Sequence, residues 1–260
     1  MNNLNQKNIA EDLLETFLSA GKIAKEISER GVKITIKSDN SPVTDGDLEV
    51  DKILKKKIKK LTPNVPIISE ETVNLSLKIK KENDNFWLID PIDGTRDYIK
   101  KKEEYTLNAA LIINFKPAIG IIYAPAKERL FYSYGHDLAY EINKGKKIIL
   151  NGKKRNENEI IGLENSGPTP REVIKIYKDY KVTLKNKMSS SLKFCILAAG
   201  EADIYAANAR AYEWDIAAGH AILEHAGGSI TTHDGKEFLY GKDNYKNLSI
   251  VALRSNNIKK

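Results

Sequence analysis

Trp87-Leu88-Ile89-Asp90-Pro91-Ile92-Asp93-Gly94-Thr95 runs as an apolar strand that stops on two carboxylates. Ligands of layered α/β proteins gather at the carboxyl ends of strands, so this stretch marks both a sheet and a site. Pro91 stiffens the exit and has no N–H to satisfy. Asp93 brings a second carboxylate back beside Asp90. Gly94 permits unusual backbone angles and close approach of a ligand, and Thr95 adds a hydroxyl. A helix beginning there would aim its first N–H groups at an anion. A turn in which both aspartates merely accept backbone N–H bonds is the competing account, and for an isolated D-x-x-D pair it would be preferred.

Two other stretches shift that balance. Val65-Pro66-Ile67-Ile68 ends on Ser69-Glu70-Glu71, a second strand end with acidic residues. Glu213-Trp214-Asp215-Ile216-Ala217-Ala218-Gly219 sets Asp215 at the start of a helix rich in small residues, which allow close packing against the Asp90–Thr95 loop. Alone, Glu70 would be a solvated strand end and Asp215 a helix cap. Together they make a set of carboxylates that repel one another, and a hard divalent cation relieves that repulsion. Every candidate ligand is an oxygen, which suits Mg²⁺ in an open site; no Asp-rich loop of the EF-hand pattern argues for Ca²⁺.

Farther out, Ala10, Leu13, Leu14, Phe17, Ala20, Ala24 and Ile27 recur at helical spacing and predict a helix over 8–29 that Gly31 stops. Val32, Ile34 and Ile36 alternate with polar residues, as in a half-exposed strand. Thr44 and Asp47 stand at capping-box spacing and open a second helix that runs to about Leu61. TLNAALII, a turn at Asn114-Phe115-Lys116-Pro117 and AIGIIYAP form a strand pair. Strands are also expected at LFYSYG, LAYEIN, EIIGLEN (from Glu159), VTL, DIYA, SITT and LSIVAL. Helices over PREVIKIYKDY, SLKFCILAAGEA and DIAAGHAILEHAGG interleave with them. Antiparallel pairs mixed with single strands and helices predict a layered α/β (α+β) fold. It is read as one unit over 1–260, with a soft division near Asn151-Gly152. The part over 1–150 would bind metal; the α/β part over 151–260 would supply Asp215 and substrate contacts.

Of the 260 residues, 41% are hydrophobic and 30% charged, enough for a large core and a polar surface. No run is long and apolar enough to span a bilayer, and Met1–Ala10 lacks the apolar run of a secretory signal. A cytoplasmic protein is expected, with peripheral attachment at the inner membrane surface as the alternative. The single cysteine, Cys195, excludes an intrachain disulfide, and no Cys/His cluster at short spacing suggests zinc. Its apolar setting predicts a buried core thiol. The net charge of +7 would suit a polyanion, but 35 of the 42 basic residues are Lys. The densest run, Lys52–Lys60, places Ile53, Leu54 and Ile58 on one stripe, which reads as a solvated helix face and not as a nucleic-acid surface.

DPIDGT, the preceding SEE and the later WDIAAG, in that order, resemble the signature of the inositol monophosphatase superfamily of metal-dependent phosphatases, and the likeness extends over most of the chain. It implies the layered α-β-α-β-α sandwich of the inositol monophosphatase and fructose-1,6-bisphosphatase type, with two or three Mg²⁺ ions in the active site. Carried over by motif position, it implies that Asp90 bridges two ions. Glu70, Asp93 and Asp215 would complete their shells, with the Ile92 carbonyl as a backbone ligand. The Gly94 and Thr95 amides would hold the phosphate. Asp47 would pair with the Thr95 hydroxyl to orient and activate the attacking water, while Asp45 gives local support only. Metal-assisted hydrolysis without a covalent intermediate follows, and inhibition by lithium is implied.

Within that superfamily, SPVTDGD, YTLNAALI, GIIYAPAKERLFY and SSSLKFCILAAGEADIY resemble the CysQ-type 3'(2'),5'-bisphosphate nucleotidases, which convert adenosine 3',5'-bisphosphate to AMP. By motif position Ser190 and Lys193 would contact the nucleotide, Lys193 meeting the second phosphate, since a dianion needs a cation nearby. A solvated helix residue is the competing account of Lys193. The chain departs from that branch twice. Ala206-Ala207-Asn208-Ala209 stands where an Arg usually follows the strand, with Arg210 the nearest. Glu164-Asn165-Ser166-Gly167 stands where the branch carries a Ser-Arg-Ser-His-like segment. Both departures fall on the substrate side. An inositol monophosphatase or broad sugar-phosphatase on the same scaffold is the runner-up. A catalytically silent binding protein is the alternative outside enzymes, and the full carboxylate set argues against it. The likeness is compatible with a monomer or a homodimer.

Overall fold

Helices α1 (Asn3–Arg30) and α2 (Asp45–Leu61) flank a hairpin of β1 (Ile34–Ile36) and β2 (Pro42–Thr44). The computed structural model describes residues 3–73, 84–153 and 159–260; Met1 and Asn2, the first residues of the run read for a secretory signal, lie outside them. Gly31 ends α1 at φ +94, a left-handed conformation that glycine adopts without strain. Thr44 caps α2, its side chain accepting from the Gly46 and Asp47 amides while the Asp47 carboxylate accepts from the Thr44 N–H. β1 departs from the half-exposed strand that its alternation predicts. Ile34 and Ile36 are 50% and 61% exposed, because among the described residues no layer lies over the two-stranded hairpin to bury them.

A seven-stranded sheet follows in simple chain order: β3 (Ile67–Ser69), β4 (Phe86–Asp93), β5 (Thr106–Ile113), β6 (Lys116–Ala124), β7 (Arg129–Ser133), β8 (Ala139–Asn143) and β9 (Lys146–Ile149). β3 and β4 are parallel and the remaining neighbours antiparallel. Helix α3 (Thr95–Ile99) lies between β4 and β5 in the chain. The second sheet holds β10 (Ile161–Glu164), β11 (Leu184–Lys187), β12 (Ile204–Ala207), β13 (Ser229–Thr232) and β14 (Ile250–Leu253) in the order β11-β10-β12-β14-β13. Helices α4 (Arg171–Asp179), α5 (Leu192–Ala198) and α6 (Glu213–His225) complete the chain.

Strand side chains point alternately to opposite faces, and that period stacks the layers. Trp87 and Ile89 of β4 join Leu107, Ala109 and Leu111 of β5 in a core with Phe17 of α1 and Leu54 of α2. Phe86 and Leu88, on the opposite face, join Ala110 and Ile112 in a core with α5, α6 and the inner face of the second sheet. Val173 and Tyr177 of α4 cover that sheet's outer face at Ile204, Ala206 and Val251. The result is the α-β-α-β-α sandwich. Cys195 is buried in its middle layer, where burial raises the thiol pKa. No helix of the described residues is long and apolar enough to cross a membrane.

The middle layer is thin because its residues are small. A Cβ on Gly120 of β6 would lie 2.3 Å from the Ala218 carbonyl oxygen of α6, and one on Gly219 would lie 2.4 Å from the Phe194 ring of α5. The small stripe of α6 therefore makes its closest approaches to β6 and α5, where the sequence suggested the Asp90–Thr95 loop. Two further differences come from pairing. β9 lacks alternation and was not expected; the Lys144-Gly145 turn, both residues at positive φ, folds it back on β8. The strand expected at Val182–Leu184 begins instead at Leu184, where it enters register with Ile161 of β10. On α2, Leu54 and Ile58 are buried while Lys55 pairs with Asp51 and Lys52 with Glu49.

The middle layer also holds two neutral histidines. His220 Nδ1 lies 2.9 Å from the Tyr240 hydroxyl and His225 Nδ1 lies 2.9 Å from the Ser133 hydroxyl. Burial pushes His220 down to about 3 and His225 down to about 4. The folded protein therefore resists protonation that the unfolded chain accepts near pH 6.5. Stability from these groups is complete above that pH and is lost as pH falls from about 6.5 toward about 4 for His225 and about 3 for His220. Between pH 7 and 5 each is expected to cost roughly 2 kcal/mol. Comparing the pH dependence of the melting temperature in wild type and His225→Gln checks this; equal acid sensitivity in the two would refute it.

Candidate active site

The carboxyl ends of β3 and β4 lie side by side, in the register Ser69↔Ile89. The next residues are Glu70, whose N–H donates to the Ile89 carbonyl at 3.1 Å, and Asp90. Pairing with β5 then slips: Asp90 faces Asn108 and Asp93 faces Thr106, so Pro91 and Ile92 oppose only Leu107. Such a bulge bends the strand and re-aims its side chains, and Pro91 contributes by donating no ladder bond. Gly94 turns the chain at φ +94, with the Glu104 carbonyl where a Cβ would crowd it at 3.1 Å. Helix α3 starts at once with Thr95.

Glu70, Asp90, Asp93 and Asp215 all line one cavity of about 680 Å³, together with Ile92, Gly94, Thr95, Ser190 and Lys193. Glu70, Asp90 and Asp215 each bring a carboxylate oxygen to within 4.8 Å of the others. Asp93 shares the cavity but stands outside that trio; its Oδ2 accepts the Ser191 N–H. Asp215 sits in the first turn of α6, where its Oδ2 accepts the Tyr212 N–H at 2.8 Å as a capping-box partner. The capping account of Asp215 thus holds alongside its place in the cluster, through different demands on one carboxylate.

Asp47 stands behind this wall and does not itself line the cavity. Its Oδ2 accepts from the Thr44 N–H at 2.8 Å and the Thr44 hydroxyl at 2.5 Å, which leaves Oδ1 facing the Thr95 hydroxyl at 3.3 Å. The Thr95 hydroxyl also lies 3.1 Å from the Ile92 carbonyl. One hydroxyl proton serves one of these acceptors at a time. Asp45 accepts from Arg30 and from the Lys33 N–H and so secures the hairpin.

Electrostatics record the crowding. Burial, then the neighbouring carboxylates, raises the pKa of Asp90 and of Asp215 well above the ordinary range. Burial lifts Asp93 to about 6 against the opposing charge of Lys193, and lifts Asp47 to about 6 against its Thr44 bonds. Asp90 Oδ1 is buried and has no hydrogen-bond partner among the described residues. A buried, unpartnered carboxylate oxygen amid other carboxylates is the donor set a hard divalent cation requires. Glu70, Asp90 and Asp215, with Asp93 and the Ile92 carbonyl beside them, fit Mg²⁺.

Lys193 is buried at 4% exposure, which excludes the solvated helix residue. Its ammonium donates to the Met188 carbonyl at 3.2 Å and the Ser190 carbonyl at 2.7 Å, and burial lowers its pKa to about 8. Ser190 holds φ +57 at the cavity wall, its hydroxyl accepting the Leu192 N–H. Sequence reasoning missed Lys37, whose ammonium in the β1–β2 connection reaches Glu70 at 3.2 Å and Glu71 at 2.8 Å. It placed the segments of Asn165 and Tyr205 on the substrate side but not the bond these two make to each other at the cavity. No local pattern marks either contact.

Residues 5–256 match the profile described as the inositol monophosphatase family. The 3'(2'),5'-bisphosphate nucleotidase CysQ of Buchnera aphidicola is 36% identical over 244 residues, covering 92% of this chain and 90% of that protein. The enzyme of the same name from Escherichia coli is 33% identical over 208 residues, covering 80% and 82%. Among solved structures, CysQ from Bacteroides thetaiotaomicron aligns with a TM-score of 0.81 at 26% identity over 95% of this chain and 97% of that one. The inositol monophosphatase from Anabaena aligns at 0.74 with 22% identity, over 96% and 92%, and shares the fold.

Proposed function

The chain belongs to the inositol monophosphatase family, and on that premise we propose that it is a magnesium-dependent phosphatase that removes the 3'-phosphate of adenosine 3',5'-bisphosphate to give AMP and phosphate. The observation that carries the reading is the meeting of Glu70, Asp90 and Asp215 on one cavity with Asp93 and Thr95. Relatives that cover most of the chain carry the nucleotidase name.

Glu70, Asp90, Asp93 and Asp215, with the Ile92 carbonyl, would hold the magnesium. Bound there, it supplies Lewis acidity that offsets negative charge on the phosphoryl oxygens during an in-line displacement. The Gly94 and Thr95 amides stand at the start of α3 to receive the phosphate, and Gly94 permits the left-handed turn that leads into it. Asp47, with a pKa of about 6, is ionised at neutral pH and orders the Thr95 hydroxyl through Oδ1. The pair can orient a water and take up its proton. Ser190 and Lys193 lie where the nucleotide would extend, and the buried ammonium adds positive charge to that wall.

Phosphate release should require Mg²⁺, stop with EDTA and be inhibited by lithium. Adenosine 3',5'-bisphosphate should be hydrolysed with a kcat/KM at least about tenfold above that of inositol 1-phosphate; one tenfold step equals about 1.4 kcal/mol of transition-state binding. A large preference for the inositol ester would remove the nucleotidase reading and leave the phosphatase.

A further inference from the structure

We infer that Asn108 is a positioning residue for Asp90: its side-chain N–H groups are the hydrogen-bond donors that hold the Asp90 carboxylate in place for the cation. The inference rests on the magnesium-phosphatase reading above. It concerns a buried residue that does not itself line the cavity.

The other acids of the cluster each have an outer partner. Glu70 accepts from the Lys37 ammonium at 3.2 Å, Asp93 from the Ser191 N–H, and Asp215 from the Tyr212 N–H at 2.8 Å. Carboxylates that bind metal are oriented by bonds of this kind. Asp90 differs, since its Oδ1 is buried with no partner among the described residues.

Asn108 stands opposite Asp90 in the β4–β5 register, at the last regular pair before the bulge. Facing residues of an antiparallel pair share one side of the sheet, with Cβ atoms about 5 Å apart. Asn108 is 1% exposed, and its Nδ2 also has no partner among the described residues. An unmet acceptor and an unmet donor thus belong to one strand pair. Each costs about 1–3 kcal/mol if left buried and unpaired, and a single bond between them removes both costs. A carboxylate oxygen carries two lone pairs, so an N–H and a cation can share it.

The amide is oriented from behind. The Ser191 hydroxyl donates to Asn108 Oδ1 at 2.8 Å. That bond uses its only proton, so the Thr106 hydroxyl, 2.9 Å away, donates to Ser191 in turn. Thr106, Ser191 and Asn108 are all buried. With the amide oxygen engaged by Ser191, only N–H groups are left for Asp90, which is the polarity a carboxylate needs. Ser191 also donates its N–H to Asp93, so one residue before α5 steadies two of the four acids.

The test measures Mg²⁺ binding to the full chain by calorimetry without substrate, beside melting curves in EDTA. Asn108→Leu keeps the size and removes the donor. It should weaken Mg²⁺ binding roughly tenfold, the usual cost of losing a partner behind a metal ligand. Thr106→Val removes a hydroxyl one bond farther from Asp90 and should lose clearly less affinity. Ser191→Ala frees the amide without displacing Asn108, and it should also weaken binding; it keeps the test decisive if Asn108→Leu does not fold. Wild-type Mg²⁺ affinity in Asn108→Leu, even with a lower melting temperature, would overturn the assignment. So would an equal loss in Thr106→Val, which would trace the effect to packing. If Asn108→Leu does not fold, unchanged affinity in Ser191→Ala overturns it. A wild type that binds no Mg²⁺ and releases no phosphate would remove the phosphatase reading, and this assignment with it.

Discussion

Replacing Asp90 with Asn is expected to lower magnesium-dependent kcat/KM at least about a thousandfold while raising the melting temperature of the metal-free protein. Both effects come from one carboxylate. Asp90 is 2% exposed, its Oδ1 has no partner among the described residues, and it lies within the oxygen cluster of Glu70 and Asp215. Asparagine keeps the size and removes the charge that would face the cation. Without metal, burial and neighbouring charge hold the Asp90 pKa well above the value in the unfolded chain. The native state therefore loses stability as pH rises from the unfolded toward the folded pKa, and at neutral pH the wild type carries that penalty. The neutral amide does not, which should add about 1–3 kcal/mol. Phosphate release with and without EDTA and a melting curve in EDTA check the two halves. Substantial residual activity would dismantle the cluster's role, and a lower melting temperature would show that the carboxylates are not in conflict.

Gly120→Ala should be nearly as damaging from a place that touches no ligand. A Cβ there would lie 2.3 Å from the Ala218 carbonyl oxygen and 2.8 Å from the Ala221 Cβ. The first contact is with backbone, so no rotamer change relieves it, and α6 must move off the sheet. Overpacking of this kind costs about 3 kcal/mol, or about 6–12 °C in a protein of this size. Asp215 rides on the first turn of the same helix, so its distance from Glu70 and Asp90 should grow. The Mg²⁺ concentration for half-maximal activity should rise about tenfold, since small misplacements of a preorganised site are costly. Gly145→Ala is the control: it has φ +75 and nothing within 4 Å of a new Cβ. It should cost about 1 kcal/mol through the backbone alone and leave the Mg²⁺ requirement as it was. A Gly120→Ala protein with the wild-type melting temperature and Mg²⁺ requirement would refute the coupling.

Features legible in the sequence are those whose cause is local. The Thr44–Asp47 capping box, the glycine stop after α1, the apolar run into Asp90 and the buried setting of Cys195 each depend on a few adjacent residues, and each stands in the structure as read. Readings failed where a distant partner decides. Ile34 and Ile36 are exposed because no layer of the described residues covers their hairpin. The β11 strand begins where β10 offers a register, and β9 exists because a turn returns it to β8. For Lys193 the competing account of a solvated helix residue is the one that fell: the side chain is buried, its charge met by carbonyls and by Asp93.

The sequence by itself determined the chemistry available: a set of oxygen ligands at strand ends and a helix start, with Thr95 two residues beyond Asp93 and Asp47 far from them in the chain. Period-two alternation and cap spacing act over a few residues, so they could be read directly. Only the tertiary structure decided which carboxylates bring their oxygens within reach of one another, that Asp93 turns toward Ser191, and that Tyr205 donates to Asn165. Those outcomes depend on the thin packing of α6 between two sheets, and that geometry exists only once chain segments far apart have excluded water from between them.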